Sequence, residues 1–232
     1  MKKDNIKVVV SYPSHNRLDY CKITLPQVIN EVKNAKNKSI LYIGDDNSTD
    51  GTWEYINSTM GATVIEQQKV GNSIWQLNNA FDLARSVNAE YVYAMANDIL
   101  MPDGIIDKMV KLMEQYPDAC SMMVEECFNM PYIHPAITVE EHLFTSSLGI
   151  HRVEAYPQKM VANKRFFGFQ DYQRKAIKNH GFAAYRIKGI GNTNLDGSSW
   201  SRQDEYESLG YARKGLVSNE KSIYKFEKGQ IE

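Results

Sequence analysis

The sequence predicts an α/β protein built on a single, mainly parallel, doubly wound sheet. Two observations carry that expectation. Strand-like runs alternate with segments of helical spacing through about the first 125 residues, giving four crossovers. Within that alternation, Ile40-Leu41-Tyr42-Ile43 has the β-branched and aromatic content of a buried strand, and it ends abruptly in Asp45 and Asp46. The loop Asn47-Ser48-Thr49-Asp50-Gly51 follows, then a helix near Thr52. Strand, polar loop, helix is one step of an open α/β sheet, in which ligands bind beyond the carboxyl ends of the strands.

Taken in order, residues 6–11 read as the first strand. Residues 19–33 have helical spacing through Tyr20, Ile23, Val28 and Val32, with Pro26 marking a kink or boundary. Residues 39–44 form the second strand and 52–60 a helix that Thr49 or Asp50 can cap. A short strand at 62–66 precedes a helix at 73–86, which puts Ile74, Leu77, Phe81 and Ala84 on one face. Residues 91–96 are the fourth strand. Pro102-Asp103-Gly104 opens a helix through Tyr116 that turns Ile105, Met109 and Leu112 inward, and Pro117 ends it. The fifth strand spans 119–124. From 125 to 164 the pattern dissolves into Pro, His and Ser, so irregular structure covering the site is expected. A short apolar segment at 166–169, a helix at 171–179 and a strand at 183–188 follow. The tail from Gly189, rich in Gly, Ser and Asn and then charged, is expected to fold over the site or to be mobile.

The 232 residues are 43% hydrophobic and 24% charged, the balance of a soluble globular chain rather than a disordered one. A net charge of −1 argues against a polycation built to grip nucleic acid. Between Arg152 and Lys188, however, nine basic residues face two acids, and such a cluster beside a site would suit a phosphorylated ligand. Cys21, Cys120 and Cys127 form no CxxC pair and suit a reducing compartment. The N-terminus shows no apolar core of a signal peptide, and no stretch approaches the ~18 uninterrupted apolar residues of a membrane span. A soluble, cytoplasmic protein is the expectation.

Three polar turns fall at predicted strand ends and so meet at one rim. They are Pro13-Ser14-His15-Asn16-Arg17, Asp45-Asp46-Asn47-Ser48 and Ala96-Asn97-Asp98. A carboxylate in the second can accept N–H or O–H groups of a base or ribose. One in the third can hold Mg²⁺ or Mn²⁺, which take oxygen ligands and commonly share them with substrate phosphates. The chain resembles the family-2 glycosyltransferases of the GT-A fold. Pro13 to Arg17 matches that family's P-x-x-N-R turn, and Asp45 to Thr52 matches its D-D-x-S-T-D-G-T signature residue for residue. Asn78 through Ala84 matches an N-x-x-x-x-x-A helix segment, and Asn97-Asp98 the end of a metal-binding D-x-D or N-x-D, with Pro102 in the usual place after it. The match covers about the first 125 residues.

The resemblance implies a single GT-A catalytic domain over 1–232, with a nucleotide-sugar-binding half at 1–125, an acceptor and catalytic-base half at 126–188 and a tail at 189–232. It implies inverting transfer from a nucleotide-sugar donor, UDP-linked, to an acceptor hydroxyl. Pro13, Ser14, Asn16, Arg17, Asp45, Asp46, Asn78 and Asn97 would bind the donor, with Asp46, and Asp45 as second candidate, at the uracil or ribose. Asp98 would ligate Mn²⁺ or Mg²⁺ at the diphosphate. The sequence departs from the family at Ala96, where Asp or Asn is usual, so metal independence is an alternative. Phe169-Gln170-Asp171-Tyr172, then Gly181-Phe182, resembles the family's catalytic-base motif with Gln170 in place of Glu. Asp171 would take the proton of the attacking hydroxyl, or it is a helix N-cap, with Glu125 or Glu126 next in line as base. The family's late metal-binding His has no counterpart after His180; Asn192 or Asn194 is a weak substitute. The acceptor is open: glycan, lipid-linked sugar, protein or, less in keeping with the charge, nucleic acid.

His134, His142 and His151 lack close ligand spacing and are expected on the surface or the acceptor side rather than at zinc. Trp53 and Trp75 are expected to pack, and Trp200 to be available for stacking on a sugar. The alternatives to a transferase are a non-catalytic nucleotide- or carbohydrate-binding module of the same fold and a GT-A nucleotidyltransferase. The last is disfavoured because Pro13 to Arg17 is not a Gly-rich, basic loop.

Overall fold

The structure, a computed structural model, describes residues 5–59, 61–68, 73–127, 130–142, 148–157, 159–160 and 168–195. In chain order the elements are β1 (Val8–Ser14), α1 (Leu18–Asn34), β2 (Ser39–Asp45), α2 (Thr52–Ser58), β3 (Val64–Gln67), α3 (Ser73–Ser86), β4 (Tyr91–Ala94), β5 (Ile99–Leu100), α4 (Ile105–Gln115), β6 (Ala119–Cys127), β7 (Tyr132–His142), β8 (Gly149–Arg152), α5 (Gly168–His180) and β9 (Ala183–Asn194). One sheet runs β3-β2-β1-β4-β8-β6-β9-β5, with β7 also on β9. The strands β3, β2, β1 and β4 are mutually parallel, as are β6 and β9. Antiparallel β8 joins the two groups, and β5 and β7 lie antiparallel on β9.

Both faces of the sheet are covered, which is why its central strands are apolar throughout. Val8, Val10 and Tyr12 of β1 and Leu41 and Ile43 of β2 pack with Leu25 and Val28 of α1 and Met109 of α4. The intervening Val9 and Tyr42 turn the other way, onto Leu77 and Phe81 of α3 and Ala176 of α5. Burying one such side chain stabilises the fold by roughly 1.5–3 kcal/mol.

The first half follows the expected order with shifted ends and adds one unexpected short strand, β5. Strand β1 continues to Ser14, because Pro13 and Ser14 stay in register with Gly44 and Asp45. Helix α1 continues past Pro26 rather than ending there. The second half differs more. The stretch expected to be irregular carries the end of β6, all of β7 and β8, and the tail's first residues, Gly189 to Asn194, complete β9. Strand β7 leaves most of its side chains exposed, so it shows no apolar pattern. The glycine of β9 that suggests a loop answers a close approach. Gly189 has φ 87°, and a Cβ there would lie 2.6 Å from the Ala136 carbonyl oxygen.

Candidate active site

The parallel pairing of β1 with β2 and β4 brings their carboxyl ends to one rim. Ser14 lies beside Asp45, and the Asp46 N–H donates to the Ser14 carbonyl at 2.8 Å. Beyond Ser14 the chain turns through two left-handed residues, Asn16 (φ 55°) and Arg17 (φ 68°), and after β2 through a third, Asn47 (φ 53°). That conformation costs roughly 1–2 kcal/mol per residue, least for Asn. Hydrogen bonds between the loops offset it. The Asn16 N–H donates to Ser48 Oγ at 2.7 Å, the Thr49 N–H to Asn16 Oδ1 at 2.9 Å, and His15 Nδ1–H to the Asp46 carbonyl at 2.7 Å.

The three acids of the signature have three different surroundings. Asp45 is fully buried; its carboxylate accepts from the Ser48 N–H at 2.8 Å, from the Ser48 hydroxyl, and from Gln67 Nε2 at 3.1 Å. It braces the loop from within. Asp50 is exposed and spans two helix starts, accepting from the Leu18 N–H of α1 and the Thr52 N–H of α2, each at 3.0 Å. Its limited burial pushes its pKa up, but hydrogen bonds from Thr52 and Leu18 outweigh this and hold it below the usual carboxylate value. Asp46 closes the end of β2 at the rim, with only 9% of its surface exposed.

The third turn is anchored from below. The Thr24 hydroxyl on α1 lies 2.9 Å from the Asn97 carbonyl and 2.7 Å from the Tyr12 hydroxyl, and Asn97 Nδ2 donates to the Asn16 carbonyl at 3.3 Å. Burial pushes the Tyr12 phenol well above its ordinary pKa, which keeps it a donor. Asp98 forms an ion pair with the Arg17 guanidinium, itself 5.8 Å from the centre of the Tyr20 ring. The Leu195 N–H donates to the Asp98 carbonyl at 2.8 Å, and Asn194 pairs with Ile99, so the end of β9 lies alongside this turn. Ala96 offers no ligand, and among the described residues no three His, Cys, Asp or Glu side chains converge. The Asp98 carboxylate already faces a cation, the guanidinium. Asp98 is the one carboxylate of this turn that could hold a divalent ion, through a carboxylate now paired with the guanidinium.

Other expectations separate. Asn78 is engaged away from the rim: its Nδ2 donates to the Met160 carbonyl at 2.7 Å and its Oδ1 accepts from the Met160 N–H at 2.8 Å. The rim contact from α3 is instead Gln76, a buried amide that donates to the carbonyls of Ser14 and Gly44. No spacing rule singled it out, nor His15 or Thr24, since their partners lie far along the chain. Asp171 is the fourth residue of α5, not the residue preceding it; its side chain, and that of Glu126, lie outside the described residues. Glu125 sits 4.0 Å from Arg186 and accepts from the Gly189 N–H. His134 and His142 are exposed, but His151 is fully buried against Phe169 and Tyr156, in the core rather than on the surface. Trp200 lies outside the described residues. Much of the basic stretch is used within the fold: Arg152 donates to the carbonyls of Met113 and Ala119, and Lys159, Arg186 and Lys188 pair with Asp82, Glu125 and Glu140. A cavity of about 350 Å³ lies on the flank between β3 and α3, lined by Tyr42, Glu66, Asn79 and Asp82, and not at the rim.

A mostly parallel sheet with three polar turns at one rim defines the class: this is the GT-A fold of nucleotide-sugar transferases. The profile of the glycosyl transferase family 2 matches residues 10–191, and the chain belongs to that family. No curated protein sequence matches it. Among solved structures, S. aureus TarS 1-349 in complex with UDP superposes with a TM-score of 0.60 at 14% identity, over 91% of this chain and 65% of that one. The mannosyltransferase PcManGT from Pyrobaculum calidifontis, in complex with GDP-Man and Mn²⁺, gives 0.63 at 14% identity, over 93% and 63%. A further S. aureus TarS structure gives 0.58 at 15%, over 88% and 38%. At these identities the likeness is one of fold, and this chain spans less than two thirds of each neighbour. Among the described residues no helix is long and apolar enough to cross a membrane.

Proposed function

We propose that this chain transfers a sugar from a nucleoside-diphosphate sugar, UDP-linked, to an acceptor hydroxyl with inversion. The observation that carries the reading is the rim itself: Asp46 and the Arg17–Asp98 pair stand at the ends of neighbouring strands, joined through Asn16. Asp46 accepts N–H or O–H groups of the base or ribose. Asp45, buried, keeps the loop in shape for it. Pro13, Ser14 and Asn97 shape the rim, and Asn16 ties its turns together. Asp98 would hold a divalent ion, Mn²⁺ or Mg²⁺, which would neutralise charge on the departing diphosphate.

Asp171 accepts the proton of the acceptor hydroxyl as its oxygen attacks the anomeric carbon. The sugar–phosphate bond breaks on the opposite side, so one displacement inverts the centre.

The test is turnover of a panel of UDP- and GDP-sugars, read as released nucleoside diphosphate with Mn²⁺ and with excess chelator. Release with a UDP-sugar supports the reading. Tight nucleotide binding without release from any donor would favour the non-catalytic binding module, a reading consistent with Ala96 in place of the usual ligand.

A further inference from the structure

We infer that the cavity between β3 and α3 is a binding site for an organic cation, an ammonium or guanidinium group on a short aliphatic stem. It lies on the flank of the molecule, away from the rim, and does not depend on the donor reading. The cavity, about 350 Å³, sits beside β3, the last strand on that side of the sheet. That volume falls within the range of small-ligand sites. One wall is α3, whose Asn79, Asp82, Leu83 and Ser86 follow one another at helical spacing along a single face. The other is the sheet, through Tyr42 of β2 and through Val64 and Glu66 of β3.

The side-chain donors of this lining are spent on one another. The Tyr42 hydroxyl donates to Glu66 Oε2 at 3.0 Å, and the Asn79 amide donates to the same oxygen at 2.9 Å. That amide also bonds the Tyr42 hydroxyl, and the Ser86 hydroxyl donates to the Leu83 carbonyl at 2.7 Å. What remains is acceptors. Glu66 Oε1, Asn79 Oδ1 and the Ser86 oxygen accept no hydrogen bond among the described residues. Charge selects in the same direction. Asp82 is matched on both oxygens, by Arg85 at 2.7 Å and Lys159 at 2.9 Å. Glu66, half-buried, has no cation at ion-pair distance among the described residues, although carboxylates withdrawn from water are ordinarily paired. A neutral hydroxyl compound would bring lone pairs that meet no side-chain donor here. An ammonium or guanidinium group has donors only, and so uses the whole lining. Its bond to Glu66 is charge-assisted, the strong kind. Val64 and Leu83 add apolar surface, on which an aliphatic stem packs and an inorganic ion does not.

The experiment titrates n-butylammonium and n-butylguanidinium into the full chain at low ionic strength, read by calorimetry. Two controls separate the contributions: n-butanol has the stem without the charge, and tetramethylammonium the charge without an N–H. Both butyl cations should bind, and neither control should. Glu66→Gln keeps an acceptor for Tyr42 and Asn79 but replaces the charged acceptor with a donor. It should weaken both cations roughly tenfold to a hundredfold, the loss of one charge-assisted bond. Ser86→Leu, at an exposed position in the last turn of α3, fills the cavity from its margin. It should abolish binding with an unchanged melt, and it decides the matter if the Glu66 variant does not fold. Nα-acetyl-lysine methylamide distinguishes the source of the cation. Affinity equal to that of n-butylammonium assigns the cavity to a lysine side chain of another protein; exclusion assigns it to a free amine. Tetramethylammonium binding as tightly as n-butylammonium would overturn the inference. So would unchanged affinity in both variants, or no binding of either butyl cation to the wild type.

Discussion

Replacing Asp45 with alanine tests whether the first acid of the signature works on the ligand or on the loop. Its carboxylate is fully buried and accepts three hydrogen bonds, from the Ser48 N–H, the Ser48 hydroxyl and Gln67 Nε2. Hydrogen bonds to charged groups contribute roughly 1.5–3 kcal/mol each when intact, but water can reach part of a relaxed loop, so about 1 kcal/mol per lost bond is a fair floor. The variant should lose about 3 kcal/mol. For a chain of this size that lowers Tm by about 6–12 °C, at roughly 2–4 °C per kcal/mol. Nucleotide affinity falls too, because Ser48 no longer holds Asn16. Asp46→Asn is the paired control. It should leave Tm within about 2 °C and lower UDP affinity roughly tenfold to a hundredfold, the loss of ~1.5–3 kcal/mol from a charge-assisted bond. The assay is calorimetric UDP titration with a thermal melt on both variants. An Asp45→Ala protein that melts like the wild type while losing UDP would refute the division of labour drawn from the burial of these two residues.

Asp171→Asn should cut turnover by ~10²–10⁴-fold with donor affinity unmoved, measured on one preparation; near-normal turnover would return the base to Glu125 or Glu126. Asn78→Ala should cost about 1–2 kcal/mol by releasing both bonds to Met160, while UDP affinity holds; a fall in UDP affinity at constant Tm would place Asn78 in the donor site after all. Asp50→Ala should lower Tm by removing the acceptor shared by two helix starts, an effect that depends on pH. Because the folded pKa lies below the unfolded one, the wild-type advantage is fully present above about pH 4 and shrinks as pH falls through the depressed value. Melts at pH 7 and pH 3 that show the same gap would contradict that assignment.

The readable part of this fold is the part whose signals are local. Ile40 to Ile43 and the turn after Asp45 declare strand, loop and helix within a dozen residues, and the parallel β3-β2-β1-β4 half of the sheet follows. Strand β7 was not legible because its side chains are exposed and its pairing partner, β9, lies some 50 residues on. The glycines at 189 and 191 read as loop, but they admit the Ala136 carbonyl and the Tyr132 ring against β9. At the rim, the residue types of the signature marked the place without their roles. That Asp45 faces inward, that Gln76 rather than Asn78 reaches the strand ends, and that Arg17 finds Asp98 are all consequences of contacts between distant segments, which spacing along the chain does not encode.

The single carboxylate of Asp50, joined to the first turns of both α1 and α2, has a kinetic consequence. The amides of Asn16, Leu18, Ser48, Thr49 and Thr52 all close on one cross-braced patch between two loops that lie about thirty residues apart. No one of them can open without loosening the bonds that hold the others. In hydrogen exchange these five should therefore leave together, as one local unfolding unit with a shared opening free energy, although two separate surface loops carry them. The rim would then pass between two discrete states, assembled and released, rather than fraying residue by residue.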